Sequence, residues 1–272
     1  MKTITNQLFY FYAKSLWRSG LVKGILFLLA LSLAVAFFLS GADIGAQDKL
    51  FHDLILLFES FWLHALLLLW AYELCKEEEL LFLARLPLST PLTRAAYEGG
   101  RFGGLAAAFL PMTIFLLILN FAIAPILVVW QGFLFCLSAL IVGFFVLLLS
   151  RFFSPISAVL YSAAILMIGN SLDDLYLFVT LRRDMGDFAK VMVELLYIFF
   201  PNFSVFDHQS EAVSQTIGQG AADFAPKSLA IVKDSVVLNA KAAFWFVPIA
   251  YAALVSIALY ALSAWRFKHL AI

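Results

Sequence analysis

Long apolar runs that alternate with polar stretches constrain this chain more than any other feature of its sequence. A helix needs about 20 predominantly apolar residues to cross the hydrocarbon core of a bilayer, and the 272-residue chain contains six such runs. Little sequence is left for a soluble domain, so we predict one all-α integral membrane domain over residues 1–272. Its spans are predicted at about 24–40, 51–74, 103–124, 128–150, 155–179 and 244–265.

The composition agrees with a membrane protein and excludes several functions. The chain is 64% hydrophobic and 13% charged, whereas soluble domains are about 25% charged. Its net charge is zero, so no nucleic-acid partner is implied. Cys75 and Cys136 fit neither a disulfide framework nor a metal site. The sequence has no P-loop, zinc-protease or nucleophile-elbow motif, so we expect no enzymatic activity and no cofactor in this chain.

Residues 1–23 are too polar to span a membrane, but their apolar side chains recur at helical spacing and include several aromatic rings. This pattern predicts a helix that lies at the membrane interface. For the first predicted span, 24–40, a signal peptide is the alternative, because Ile44-Gly45-Ala46 resembles a cleavage site. The lead-in before the apolar run is too long for a signal peptide, which favours the interfacial helix.

Lys and Arg residues near the span ends predict the orientation of the chain. Most of them lie in residues 1–23, 76–101 and 151–154 and at the C-terminal end, and short loops rich in these residues are usually cytoplasmic. We therefore expect both termini in the cytoplasm, the chain in the cell (inner) membrane, and residues 180–243 outside. Within 180–243, the single apolar stripe of residues 187–200 predicts a short amphipathic helix at the outer surface rather than a seventh span.

Residues 76–101, which we call the coupling segment, form a long polar interruption between two apolar runs. We predict a separate helix from about Glu77 to Leu86 whose acidic first turn suits the positive end of the helix dipole. Pro87 is expected to end this helix. The pattern favours a docking element for another protein, and the alternative is a solvated helix face without a partner.

Several polar residues lie inside the predicted spans, where they are costly in lipid and should face protein or water. Glu59 and His64 are five residues apart and do not share a helix face well. We expect them to be satisfied inside the bundle, and a proton relay is the alternative. The other candidates for a pathway or for hydrogen bonds between helices are Asn120, Asn170, Asp173 and Asp174. For the two aspartates, the favoured interpretation is that they mark the point where the fifth span reaches water at the outer surface.

Two overlapping pairs of small residues precede and open the third predicted span. They are Gly99/Gly103 and Gly100/Gly104. No strand precedes them, so they do not indicate a phosphate-binding loop. Pairs of this spacing predict close packing against a neighbouring helix.

The order of these parts resembles the permease subunits of type-2 ABC exporters. In that family an interfacial helix precedes six spans, a cytoplasmic coupling helix joins spans 2 and 3, and short helices lie at the outer face between spans 5 and 6. The coupling signature of the family is acidic residues, an apolar turn, then proline, serine and a basic residue. The matching positions are Glu77, Glu78, Glu79, Leu80, Leu83, Arg85, Leu86, Pro87, Ser89 and Arg94. The stretch LYIFFPNFSVFD, residues 196–207, is similar to the Pro-Asn-Phe segment of many members.

The resemblance implies a transport function with several partners. It implies a dimer, with a second copy or a related permease, and a separate ATPase subunit that binds ATP and magnesium. Leu80-Leu81 stands where many members have Gly-Thr, so the register of the helix is not carried over. Three alternatives stay open: a non-transporting ABC membrane subunit that acts on an extracytoplasmic partner, a secondary transporter, which would show repeated halves, and a membrane enzyme.

Overall fold

A computed structural model describes residues 2–40, 47–83, 94–123, 126–181, 188, 191–193, 195–196, 201–206 and 240–269. These residues form helices and contain no strand, so the predicted all-α class is confirmed for the described part of the chain. The helices are α1 (Lys2–Arg18), α2 (Gly20–Ser40), α3 (Gln47–Leu83), α4 (Arg94–Ile123), α5 (Ile126–Leu149), α6 (Pro155–Leu181), a 3-10 helix (Phe203–Phe206) and α7 (Ala240–His269).

Five of these helices are individually long and apolar enough to cross a membrane. Their apolar windows are Phe51–Lys76, Ala96–Ala122, Val128–Leu149, Pro155–Leu172 and Phe246–Arg266, in α3 to α7. Phe9–Arg18 and Lys23–Val35, in α1 and α2, meet the same test as a pair and are bent by 60°. The chain is therefore a multi-pass membrane protein, with five candidate spans among the described residues, or six if the bent pair counts as one.

Helix α5 is the centre of the bundle, because most of its apolar window is buried while α6 and α7 expose most of theirs. It packs against α3 and α4 at Gly143. A Cβ at that position would lie 3.0 Å from Leu105 Cδ2 and 3.2 Å from Leu67 Cδ1. The absence of a side chain at Gly143 therefore lets the three helices approach closely.

The predicted glycine packing is confirmed, and α1 is one of the neighbours. A Cβ at Gly104 would lie 2.7 Å from Tyr12 Cβ, and a Cβ at Gly103 would lie 3.0 Å from the Phe9 ring. The indole nitrogen of Trp17 donates a hydrogen bond to the carbonyl oxygen of Ala108 at 2.9 Å. These contacts fix α1 along one side of α4.

Both ends of the coupling segment belong to membrane helices, which corrects the prediction of a separate helix that starts at Glu77. Helix α3 is continuous from Gln47 to Leu83, and α4 begins at Arg94. Residues 75–83 contain strong helix formers and neither proline nor glycine, so nothing interrupts the helix at the membrane surface. At 1.5 Å per residue α3 is about 55 Å long, against about 30 Å for the hydrocarbon core.

We call the end of the bundle at which α3 stops and α4 starts the proximal end, and the opposite end the distal end. Residues 84–93, which include Arg85, Leu86, Pro87 and Ser89, lie outside the described residues. The described residues of the predicted amphipathic helix 187–200 are helical, with Phe188, Val191, Met192 and Leu195 exposed and Val193 buried. The rest of 180–243 is described only at residues 180–181, 201–206 and 240–243.

Candidate functional site

A buried carboxylate lies at the proximal end, in the first turns of α4. The side chain of Glu98 is fully buried. Arg101, one turn later, is also fully buried and donates from Nη1 to both carboxylate oxygens at 3.4 Å. Residues three apart share a helix face, so the sequence places this pair side by side. A buried charge is costly unless it is paired and hydrogen-bonded, which makes further partners necessary.

Two residues from distant parts of the chain supply those partners. Arg151, in the turn between α5 and α6, donates from Nη2 to Oε1 of Glu98. Ser263, on α7, donates from Oγ to Oε2 of Glu98 at 2.8 Å. One carboxylate therefore joins α4, the turn after α5, and α7.

Arg101 extends this set of contacts to the end of α3. Its Nη2 lies 3.5 Å from Cys75 Sγ and 3.4 Å from Ser150 Oγ. Ser150 also donates to the carbonyl oxygen of Leu147 at 2.8 Å, which holds it at the end of α5. The six residues Cys75, Glu98, Arg101, Ser150, Arg151 and Ser263 are called the Glu98 cluster below. The cluster contacts the helices on both sides of residues 84–93.

Aromatic packing surrounds the cluster. The ring of Phe102 lies edge-on to Tyr260 of α7, with centroids 5.8 Å apart, and 4.9 Å from the ring of Phe144 on α5. A Cβ at Gly99 would lie 3.7 Å from the Tyr260 hydroxyl oxygen, in ordinary contact. The small residue and the rings bring α4 and α7 close enough for Glu98 to reach Ser263. They also exclude water, which strengthens the charged hydrogen bonds.

Glu59 and Asn120 form a second buried polar pair, between α3 and α4. Asn120 donates from Nδ2 to Oε2 of Glu59 at 2.9 Å, and both side chains are fully buried. A Cβ at Gly132 of α5 would lie 2.7 Å from that nitrogen and 3.1 Å from that oxygen. The glycine therefore makes room for the pair. The structure places these two predicted pathway candidates inside the helix bundle of the single chain.

His64 is also bonded inside the bundle, and its partners do not include Glu59. Its Nδ1 donates to the carbonyl oxygen of Ser60 at 2.7 Å, since a carbonyl oxygen can only accept. In that tautomer Nε2 accepts the hydroxyl of Ser138, on α5, at 2.9 Å. The expectation that both residues are satisfied within the bundle is met for His64 and only in part for Glu59, because Oε1 of Glu59 is buried without a hydrogen-bond partner among the described residues.

The other predicted site residues divide into three groups. Asn170 lies on α6 and is exposed. For a second group, the structure describes the helical backbone but not the side chains. This group consists of Glu77, Glu78, Glu79, Leu80, Leu83, Arg94, Asp173 and Asp174. The third group lies outside the described residues and consists of Arg85, Leu86, Pro87 and Ser89. The docking role of the coupling segment therefore stays a prediction.

At the distal end, residues 201–206 contact three helices. The amide of Asn202 donates to the Tyr251 hydroxyl, on α7, at 2.8 Å. Gln131 of α5 donates from Nε2 to the carbonyl oxygen of Phe206 at 2.8 Å. A Cβ at Gly169 of α6 would collide with the Pro201 carbonyl and with the ring of Phe203. The Pro-Asn-Phe segment noted in the sequence is thus fitted against α5, α6 and α7, and we call residues 201–206 the distal segment.

Sequence reasoning missed the Glu98 cluster and the polar contacts of the distal segment. A signal for Glu98 was present, because Glu98 and Arg101 are three apart in the run AAYEGGRFGGLAAAF. Small and apolar residues on both sides of an acid–base pair favour burial. The partners Arg151, Ser263 and Tyr251 follow only from the packing of the helices.

No model of a known protein family matches the chain, and a search of curated proteins returned no similar sequence. A function for this chain is therefore inferred from the contacts among its own residues. Within the described ranges, no three His, Cys, Asp or Glu residues are grouped so that they could hold a metal ion. What the arrangement offers is a set of ion pairs and hydrogen bonds that connect helix ends.

Proposed function

We propose that this chain is the membrane-spanning permease subunit of an ATP-driven ABC transporter, with the architecture of a type-2 exporter. The observation that carries the proposal is the way the coupling segment is built. It leaves the bundle as the end of α3, returns as the start of α4, and is joined to the bundle by the Glu98 cluster on return. A segment held in this way is suited to pass force from a partner to the spans.

The projecting part of α3 acts as a lever. The apolar window of α3 ends at Lys76, and the helix continues to Leu83. These seven further residues extend about 10 Å at 1.5 Å per residue. A helix continuous with a span transmits displacement along its axis, whereas a flexible loop would absorb it.

The partner at this lever is a separate ATPase subunit, which binds ATP and magnesium. Leu80, Leu83 and Leu86 fill an apolar groove on that subunit. The acidic and basic residues set the register at its rim. These are Glu77, Glu78, Glu79, Arg85 and Arg94, and Pro87 and Ser89 belong to the same docking element.

The topology that goes with this function has six spans and both termini in the cytoplasm. Helix α1 lies at the interface and α2 is the first span, which the 60° bend between them supports. The proximal end is then cytoplasmic, residues 180–243 are extracytoplasmic, and the chain lies in the inner membrane. Membrane lipids cover the exposed apolar faces of α6 and α7.

A second copy of the chain, or a related permease, completes the translocation path. Glu59, His64 and Asn120 are enclosed within one subunit, so their role is to hold α3, α4 and α5 together. Asn170, exposed on α6, remains available to face a path between two subunits. The two aspartates that follow it, Asp173 and Asp174, belong to the outer end of the same helix.

Co-purification tests the proposal. The tagged chain is isolated from its native membranes, and its associated proteins are assayed for ATP hydrolysis and identified by mass spectrometry. We expect a P-loop ATPase with the parent chain and its loss with Leu83→Asp. Phe188→Asp is the matched control, because it places the same charge on an exposed apolar residue at the other side of the membrane. Equal ATPase recovery with Leu83→Asp and the parent would contradict the proposed docking site.

A further inference from the structure

Helices α5 and α7 each carry hydrogen bonds at two levels, and the bonds of both helices lead to the same two places. At the proximal end, Arg151 after α5 and Ser263 on α7 both donate to Glu98. At the distal end, Gln131 of α5 and Tyr251 of α7 both bond the backbone of residues 201–206. Two helices thus connect one buried carboxylate to one short segment.

The helical stretches between those bonds are suited to act as rods. Tyr251 and Ser263 are twelve residues apart, which corresponds to about 18 Å of helix. The proline of α7, Pro248, lies outside this stretch, and α5 contains no proline. No proline kink therefore absorbs displacement between the two ends of either helix.

The distal segment is fitted closely enough to respond to such a displacement. Phe203 and Phe206 are almost completely buried. The ring of Phe206 lies 5.8 Å from that of Tyr251, and Phe203 lies against Gly169 of α6. When α5 or α7 shifts, the segment must move relative to α6 or lose its hydrogen bonds.

We propose that Glu98 is a positioning residue that sets the placement of the distal segment through α5 and α7. Displacement of the start of α4 moves Arg151 and Ser263 together, because both are held by the same carboxylate. The two helices carry that movement to residues 201–206. This inference rests on the proposed function for its purpose, which is to link the coupling segment to the far end of the bundle. It is nevertheless a property of the single chain and is tested without an ATPase.

The test measures the accessibility of the distal segment. Val205, partly buried in the 3-10 helix, is replaced by cysteine, and its labelling by a membrane-impermeant maleimide is timed in purified chain reconstituted into nanodiscs. The native cysteines, Cys75 and Cys136, are buried, and the parent without the new cysteine gives the background. Leu56→Cys, at a fully buried position of α3, is a second reporter that detects general loosening of the bundle.

Two variants break the proximal contacts to different degrees. Glu98→Gln removes the charge that holds both arginines, and Ser263→Ala removes only the hydroxyl that joins α7 to Glu98. We expect each to change the labelling rate at Val205→Cys by about fivefold or more, the lower range of measured allosteric couplings. For Ser263→Ala, the rate at Leu56→Cys should stay within about twofold of the parent, since a fivefold coupling is the smallest effect sought. Glu98→Gln leaves two buried arginines without their shared carboxylate and is expected to loosen the bundle as well.

Matched controls are available for both variants, on α3 for Glu98→Gln and on α7 for Ser263→Ala. Glu73→Gln removes a half-buried carboxylate from α3, and Ser256→Ala removes a hydroxyl two turns before Ser263 on α7. Neither should alter labelling at Val205→Cys. Tyr251→Phe, which breaks a bond of the distal segment directly, shows that the reporter responds.

The inference is overturned if Tyr251→Phe changes the labelling rate while Ser263→Ala and Glu98→Gln leave it at the parent value. It is equally overturned if Ser263→Ala changes both reporters together, because that result means general loosening. If Glu98→Gln does not insert, the Ser263→Ala result alone decides. An ATPase that fails to co-purify counts against the proposed function and leaves this result unaffected.

Discussion

Removal of the Glu98 carboxylate should be among the most destabilising single changes in this chain. In Glu98→Met the guanidinium groups of Arg101 and Arg151 stay in the interior without the carboxylate that they share. All three side chains are at most 8% exposed, so solvent does little to screen the charges. Breaking a buried ion pair by removing one partner costs about 3–5 kcal/mol, which corresponds to about a 150- to 5,000-fold change in the unfolding equilibrium.

The comparison variant removes the charges together. In the triple variant Glu98→Met, Arg101→Met, Arg151→Met, none of these three charges stays buried. Apolar replacement of a whole buried ion cluster is often neutral or stabilising, so the triple variant should be more stable than Glu98→Met alone. The assay is reversible unfolding of the purified chain in mixed micelles with increasing SDS, followed by tryptophan fluorescence. If Glu98→Met unfolds within about 1 kcal/mol of the parent, well below the cost of an unpaired buried charge, the buried pairing is refuted.

Three further predictions follow from the packing and from the proposed topology. Gly132→Ala should separate Asn120 from Glu59 and destabilise the bundle by about 1–3 kcal/mol, the cost of an unsatisfied buried polar group. Gly24→Ala, which has open space around it, should not destabilise the bundle. SDS unfolding of both variants checks this. A cysteine at Ser89 should react with an impermeant maleimide only from the cytoplasmic side, and labelling only from outside would overturn the topology. Native mass measurement of the purified complex should find two permease subunits, and an active complex with one would contradict the dimer.

The sequence predicted the helices well and their polar partners poorly. Each of the predicted spans from 51–74 to 244–265 overlaps one observed helix, because a long apolar run leaves few alternatives to a helix in lipid. The start of a helix at Glu77 was wrong, since an acidic run does not interrupt a helix that lacks proline and glycine. An acidic first turn is a preference, whereas the strong helix formers of 75–83 propagate the helix that is already present.

The partners of the buried polar residues depend on packing between distant parts of the chain. Glu59 bonds Asn120, 61 residues later, and Ser263 bonds Glu98 across 165 residues. Charge and periodicity identify which residues are unusual in a span, but not which neighbour meets them. This is why Glu59 and His64 were recognised as buried polar residues while the Glu98 cluster was not.

ATP hydrolysis by the reconstituted complex tests the coupling role of residues 76–101 most directly. The chain and its co-purified ATPase are reconstituted in vesicles, and the rate is compared between the parent, the triple variant Glu77→Lys, Glu78→Lys, Glu79→Lys, and the control Glu73→Lys in the same helix. We expect the triple variant to reduce the hydrolysis rate to that of the ATPase alone, whereas the control keeps the parent rate. A triple variant that binds the ATPase and supports the parent rate would contradict the coupling role.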